Sequence, residues 1–293
     1  MTEHAFETVD VFTTQRFGGN PLAVFPDGRG LDAAAMQRIA REFNLSETTF
    51  VFPPADPANT AHVRIFTPMH ELPFAGHPNV GTALVLAAHM PQRPDRMVFE
   101  EAAGLVRIGF DWSGDAPRAT LDAPQPLQIG PEIPPEVIAA CTGLAVADVL
   151  VSLHAPVVAG VGTFFVIAEV QPAALARASP DAAAMREAAA RYPVRPLGFP
   201  VHLHARTASG RRTRMFAPLS GVPEDPATGS ANVALAALLL SLGSKDSMSI
   251  EIEQGVEMGR PSLLHAGARR AVDGVRAWVG GSAVHVLRGT LTV

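Results

Sequence analysis

Two stretches of this chain repeat one another, and that duplication limits the possible folds more than any other feature of the sequence. Arg64-Ile-Phe-Thr-Pro68 returns 150 residues later as Arg214-Met-Phe-Ala-Pro218. Glu71-Leu-Pro-Phe-Ala-Gly-His-Pro-Asn-Val-Gly-Thr-Ala83 returns 153 residues later as Glu224-Asp-Pro-Ala-Thr-Gly-Ser-Ala-Asn-Val-Ala-Leu-Ala236. Alanine matches carry little weight in alanine-rich windows, whereas the Glu, Pro, Gly and Asn matches are hard to obtain by chance. A repeat of this length predicts two related halves, each a strand-rich unit leading through a Gly turn into an apolar helix. The Pro-rich stretch from Asp122 to Pro135 is the natural linker between them.

Local patterning fits that division. Thr8–Thr13, Leu22–Phe25, Thr48–Phe52 and His62–Phe66 alternate or carry β-branched and aromatic residues, as strands do. Leu31 to Phe43 has helical apolar spacing with Asp32 as a candidate cap, and Asn79 to His89 is helical with Pro78 at its first turn. The chain ends in β-rich pieces, 277–286 and 289–293. Val149 to Val170 is the longest apolar stretch, but His154, Pro156, Gly160 and Gly162 interrupt it, which predicts two buried strands and not a membrane span.

Composition excludes several classes. With 293 residues, 47% of them hydrophobic, a net charge of -5 and only short basic runs at 211–214 and 269–270, the chain offers no field for nucleic acid or an anionic membrane. Those basic runs are expected to be solvated surface. The charged fraction of 17% is low and favours some surface covered by a second copy. A single cysteine, Cys141, rules out an internal disulfide framework and a cysteine-based zinc site. Set among small apolar residues, it reads as a buried hydrophobe. The acidic start lacks the marks of a signal peptide, and with this cysteine usage predicts a cytoplasmic protein.

The residues able to do chemistry cluster at the repeated turns. A helix opening at Gly76 or Gly229 would present unpaired backbone N–H groups and the positive end of a dipole, an anion site that needs no metal. The same glycines would equally serve as tight strand-to-helix turns. His77 and Ser230 are repeat counterparts, as are Leu72 and Asp225, so a His, a Ser and an Asp could converge on one ligand. Glu71 and Glu224 read as capping or turn residues. Glu47, in Asn44-Leu-Ser-Glu-Thr-Thr-Phe50, sits where the first helix meets a strand. Solvated it would be inert; half-buried it would have a raised pKa suited to proton transfer. Phosphate-loop, dinucleotide, zincin and nucleophile-elbow motifs are missing from the sequence. Chemistry that only moves protons is what remains.

These segments, with Val9-Asp-Val-Phe-Thr13, Gly19-Asn-Pro-Leu-Ala-Val24, Glu253-Gln-Gly-x-x-Met-Gly-Arg-Pro261 and Val279-Gly-Gly-Ser-Ala-Val284, resemble the successive signatures of the PhzF family. The resemblance implies an α+β, diaminopimelate-epimerase-like fold with two pseudo-symmetric halves, each a curved mixed sheet wrapped around a central helix. The halves would be 1–123, completed by a returning strand at about 287–293, and 124–286. It further implies a homodimer with an interdomain active site, acting without cofactor or metal on a small-molecule substrate. Glu47 would be the general acid/base, with His77, Asp225 and Ser230 lining the site and Gly76, Gly229, Thr228 and Asn20 contacting substrate. The namesake reaction isomerises trans-2,3-dihydro-3-hydroxyanthranilate by moving a proton from C3 to another ring position. Related epimerases use two thiols; this chain carries Ala75 and Thr228 at those places, which disfavours two-thiol racemisation. Epimerisation of a non-standard acid by Glu47 and Asp225, or ligand binding without chemistry, are the alternatives.

Overall fold

The computed structural model describes residues 2–194 and 197–293, and the chain divides into two units. The first comprises residues 1–122 and 280–293, the second residues 123–279. The return to the first unit thus begins earlier than the expected 287.

The first unit runs β1 (Glu3–Val11), β2 (Asn20–Phe25), α1 (Ala33–Phe43), β3 (Glu47–Phe52), β4 (Ala61–Phe66), β5 (Glu71–Leu72), α2 (Gly76–His89), β6 (Arg96–Glu101), β7 (Gly104–Asp111) and β8 (Arg118–Asp122). Strand β1 pairs antiparallel with β2, β2 parallel with β3, β3 antiparallel with β4, and β4 antiparallel with β5 and parallel with β6, which pairs antiparallel with β7.

The second unit runs β9 (Gln128–Glu132), α3 (Pro135–Thr142), β10 (Val149–Leu150), β11 (Val157–Gly160), β12 (Phe164–Val170), α4 (Pro172–Leu175), α5 (Ala182–Arg191), β13 (Val201–Arg206), β14 (Gly210–Ala217), β15 (Val222–Asp225), α6 (Gly229–Ser241), β16 (Ser247–Gln254), β17 (Ser262–Ala271) and β18 (Gly274–Gly281). From β11 to β17 its pairings repeat those of β1 to β7 in order and in sense, both parallel pairs included. The last strand, β19 (Ala283–Thr292), lies antiparallel on the outer side of β1, as β9 does on β11.

Two sequence expectations need correcting. The Pro-rich stretch is not a free linker: its Gln128–Glu132 portion is strand β9, admitted at a sheet edge where Pro131 removes no needed donor. The apolar run 149–170 holds three strands, not two, because the turn around Pro156 separates the short β10 from β11.

Each sheet wraps a largely apolar helix that is buried on every side. All of 76–85 is buried in α2, and the positions of α6 from Ala231 to Leu238 are buried likewise. A helix this apolar cannot face water and is stable only inside a sheet's concavity. Gly81 shows how closely α2 approaches: a Cβ there would lie 2.6 Å from Leu22 Cδ2 and 2.7 Å from Val11 Cγ2. Against the other face, α1 packs Met36, Ile39 and Ala40 on Phe25, Phe50 and Phe66. Asp32 caps α1, accepting a hydrogen bond from Ala35 N at 2.7 Å.

The duplicated Arg, Phe and Glu turn out to form one device used twice. Arg64 donates through Nε and Nη2 to both Glu71 carboxylate oxygens at 2.7 Å, and Arg214 does the same to Glu224 at 2.8 Å. Their guanidinium groups lie 5.2 Å from the Phe66 ring centre and 4.8 Å from that of Phe216. Bidentate pairing on an aromatic face fixes the turn preceding each central helix. Glu71 and Glu224 are therefore ion-pair partners and not caps. Arg214, expected at a solvated surface, is buried and also donates to the carbonyls of Leu175 and Ala178.

Candidate active site

Glu47 opens β3, and parallel pairing sets it opposite Leu22 on β2. Its side chain is only 16% exposed, so it is not the solvated loop carboxylate that its sequence position would ordinarily give. His77, the second residue of α2, places Nδ1 3.2 Å from Glu47 Oε2. Asn20, at the start of β2, is fully buried and accepts a hydrogen bond from the Ser46 hydroxyl at 3.2 Å, which braces the residue before Glu47. The chain reaches Asn20 through Gly19, whose φ of +62° and 2.3 Å Cβ distance to the Val11 carbonyl admit no side chain.

Burial pushes the His77 imidazole down to about 3, with a backbone hydrogen bond to Pro21 acting the other way. His77 is therefore neutral at working pH. A neutral ring beside Glu47 does not hold it as a carboxylate, as an imidazolium would. Ala75 gives α2 no side-chain cap, so the first-turn amides above Gly76 stay available to an anion. Neither Gly76 nor Gly229 has a positive φ, so a left-handed turn is not what requires glycine there.

In the second unit, Asp225 ends β15 and is 7% exposed. Thr228, which precedes α6, donates its hydroxyl proton to Asp225 Oδ2 at 2.6 Å. Gln254, which the sequence reading did not single out, ties this turn together. Its Oε1 accepts from Thr228 N at 3.1 Å and Asn232 Nδ2 at 2.7 Å, and its Nε2 donates to the Asp225 carbonyl at 2.8 Å. Asn232 in turn bonds His202 Nε2 at 3.1 Å. Ser230 is half-buried on the first turn of α6, beside Gly229. Glu47, His77 and Asn20 thus share one cluster in the first unit; Asp225, Thr228, Gly229 and Ser230 share another in the second. The missed Gln254 was within reach of the duplication, since it stands 153 residues after an acidic counterpart, Glu101.

Neither cluster matches a metal site. Among the described residues, no three His, Cys, Asp or Glu side chains are placed to hold an ion together. Cys141 is buried in the second unit, and burial pushes its thiol up to about 12, so it is no nucleophile. No helix among the described residues is long and apolar enough to cross a membrane.

Comparison with known proteins establishes the family. The pattern of the phenazine biosynthesis-like family, PhzC-PhzF, matches residues 9–289. The chain belongs to that family. It is 37% identical over 297 residues to trans-2,3-dihydro-3-hydroxyanthranilate isomerase of Pseudomonas chlororaphis, covering 99% of this chain and all of the relative. An uncharacterized isomerase of Mesorhizobium japonicum is 40% identical, with 97% of each chain covered. A predicted epimerase from Pseudomonas aeruginosa superposes with a TM-score of 0.82 at 30% identity and 99% coverage of both chains. This PhzF-family protein is accordingly an isomerase with the epimerase-like α+β fold.

Buried neutral histidines give the protein a definite acid sensitivity. Burial depresses His77 and His202 to about 3 and holds His204 well below its usual range. The unfolded chain takes up these protons near 6.5, whereas the folded state resists until far lower pH. Stability must fall as pH drops from 6.5 toward 3, by on the order of 1 kcal/mol per pH unit for His77 and for His202, with His204 acting in the same direction. Denaturant titrations at pH 7 and pH 5 should show a lower midpoint at pH 5; equal midpoints would contradict the neutral assignment.

Proposed function

We propose that this isomerase moves a proton within a small carboxylated ring compound, with Glu47 as the acid/base, and that trans-2,3-dihydro-3-hydroxyanthranilate is a substrate. The observation that carries the reading is the Glu47–His77 pair: a largely buried carboxyl 3.2 Å from a neutral imidazole, beside an uncapped helix start. The curated relative from Pseudomonas chlororaphis, similar over its whole length, supports the substrate.

In this reading the substrate carboxylate lies against the free amides of α2, where the helix dipole favours negative charge. The Glu47 carboxylate removes the C3 proton and, now protonated, returns it to another ring carbon. One carboxyl serves both half-reactions, so no second base and no external oxidant are needed. His77 orients Glu47, and its neutrality leaves the carboxyl free to change protonation state. Asp225, Thr228 and Ser230 are proposed as substrate-holding groups, with Asp225 fixed by the Thr228 hydroxyl.

Product analysis tests the class of reaction. Incubation with trans-2,3-dihydro-3-hydroxyanthranilate should give a product of unchanged mass with a relocated double bond. A product with the double bond in place and C3 inverted would instead indicate epimerisation, and unchanged compound would refute the substrate.

A further inference from the structure

Glu101, the last residue of β6, is a buried carboxyl that the acid/base reading leaves unused. The sheet register defines its counterpart. Ala61 stands opposite Phe99 in the β4–β6 pair, and Arg211 stands opposite Ile252 in the β14–β16 pair. These positions are related by the repeat's own offsets of 150 and 153 residues, which place Glu101 on Gln254.

The two surroundings share one backbone tie and differ in how the side chain at the strand's end is satisfied. Asn79, the counterpart of Asn232, donates Nδ2 to the Ala75 carbonyl at 2.9 Å, as Asn232 does to the Thr228 carbonyl at 3.0 Å. Ala103 N donates to the Pro73 carbonyl at 3.1 Å, which ties the end of β6 to the loop leading into the His77 turn. In the second unit Gln254 supplies both a donor and an acceptor. In the first, both Glu101 oxygens and Asn79 Oδ1 are shielded from solvent and have no well-aligned hydrogen bond. An ionised carboxylate there would be shielded from water with no cation beside it and only the Asn79 side chain to donate to it, an expensive arrangement in a dry site. A carboxylic acid carries one O–H donor and one carbonyl acceptor, much the pattern of an amide.

We propose that Glu101 is a positioning residue for the His77 turn, working as a neutral carboxylic acid in the place that Gln254 takes in the other unit. Burial supports this by pushing its carboxyl up to about 8, against a smaller opposing effect of Asn79. The charged groups on neighbouring elements are engaged elsewhere. Glu100 holds Asn59 and the amides of Ala55 and Asp56, Glu71 holds Arg64, and His77 faces Glu47.

The proposal rests on the acid/base role of the Glu47–His77 pair, so its test includes readouts that need no substrate. Isotope-edited infrared difference spectra at pH 7 should show a protonated-carboxyl band in the wild type that Glu101→Gln removes. Linkage gives a second readout. The unfolded carboxyl ionises near its ordinary value of 4.5 and the folded one only near 8, so Glu101 makes stability decline as pH rises between those values. Glu101→Gln should therefore melt higher than wild type at pH 8, and the gap should close toward pH 4.5. In activity, Glu101→Gln should stay within about threefold of wild-type kcat at pH 7 and lose the decline above pH 8. Glu101→Ala should lower kcat by roughly tenfold to a hundredfold with little change in KM, the signature of a misplaced acid/base. An ionised Glu101 band at pH 7, or Glu101→Gln as impaired as Glu101→Ala, would overturn the proposal. Failure of the Glu47 reading would show separately, as an active Glu47→Gln enzyme with the infrared and melting results intact.

Discussion

Glu47→Gln should lower turnover by about 10²–10⁴-fold while ligand affinity stays within about threefold, because the amide keeps the shape but cannot carry a proton. The structure makes this substitution a clean test. Glu47 begins β3, its backbone is held by parallel pairing with β2, and the fully buried Asn20 braces Ser46 beside it. Glutamine fills the same volume, and His77 keeps its hydrogen bond to the Pro21 backbone, so the helix start and its amides should be unmoved. Calorimetry with the substrate carboxylate then reports binding apart from chemistry. A mutant that retains more than half of wild-type kcat would remove Glu47 from the mechanism.

The second large effect concerns the strand that carries this residue. Phe50 is fully buried three positions further along β3, stacked on Phe25 at 4.9 Å and edge-on to Phe66 at 5.6 Å. Phe50→Ala removes this junction between α1 and the sheet and should cost about 3–5 kcal/mol. In urea denaturation the midpoint should drop with the slope unchanged. A loss below about 1 kcal/mol would mean that the cluster of Phe25, Phe50 and Phe66 collapses into the space with little penalty.

How much of this was legible beforehand depends on whether a feature is carried by residues near one another in sequence. The duplication was legible because Glu, Pro, Gly and Asn recur at fixed offsets, and the structure repeats six strand pairings in the same order. The central helices could be read from their largely apolar composition, and Asp32 from its position before an amphipathic segment. Strand β9 escaped notice because the prolines in and around it signal a linker, and only a partner strand 29 residues later, from Gln128 to Val157, makes an edge strand of it. Arg214 read as surface because a basic run looks solvated, although both copies of the repeat place an Arg shortly before a Glu, seven residues in the first and ten in the second. Gln254 stood inside the Glu253–Pro261 signature and opposite Glu101 in the duplication, yet nothing local marked it as a functional group. Its role comes from contacts 22 to 29 residues away in sequence, made by a side chain whose type has no chemical signature of its own.

The candidate site shows the same division. Glu47 and His77 could be nominated from motifs, but whether they meet depends on the parallel register of β2 and β3 and on the depth of α2. Their separation of 3.2 Å and the neutrality of the imidazole are products of burial that no local pattern encodes. The two-thiol chemistry of related epimerases, disfavoured by Ala75 and Thr228, finds no substitute in Cys141, which lies buried in the cluster around α3 and α5.

The most direct test of the account follows the C3 proton of trans-2,3-dihydro-3-hydroxyanthranilate by NMR in D2O, with wild type and Glu47→Gln side by side. Wild type should remove the C3 proton signal and build up the isomerised product, and the mutant should do neither. Equal conversion by both proteins would contradict the claim that the Glu47 carboxyl moves the proton.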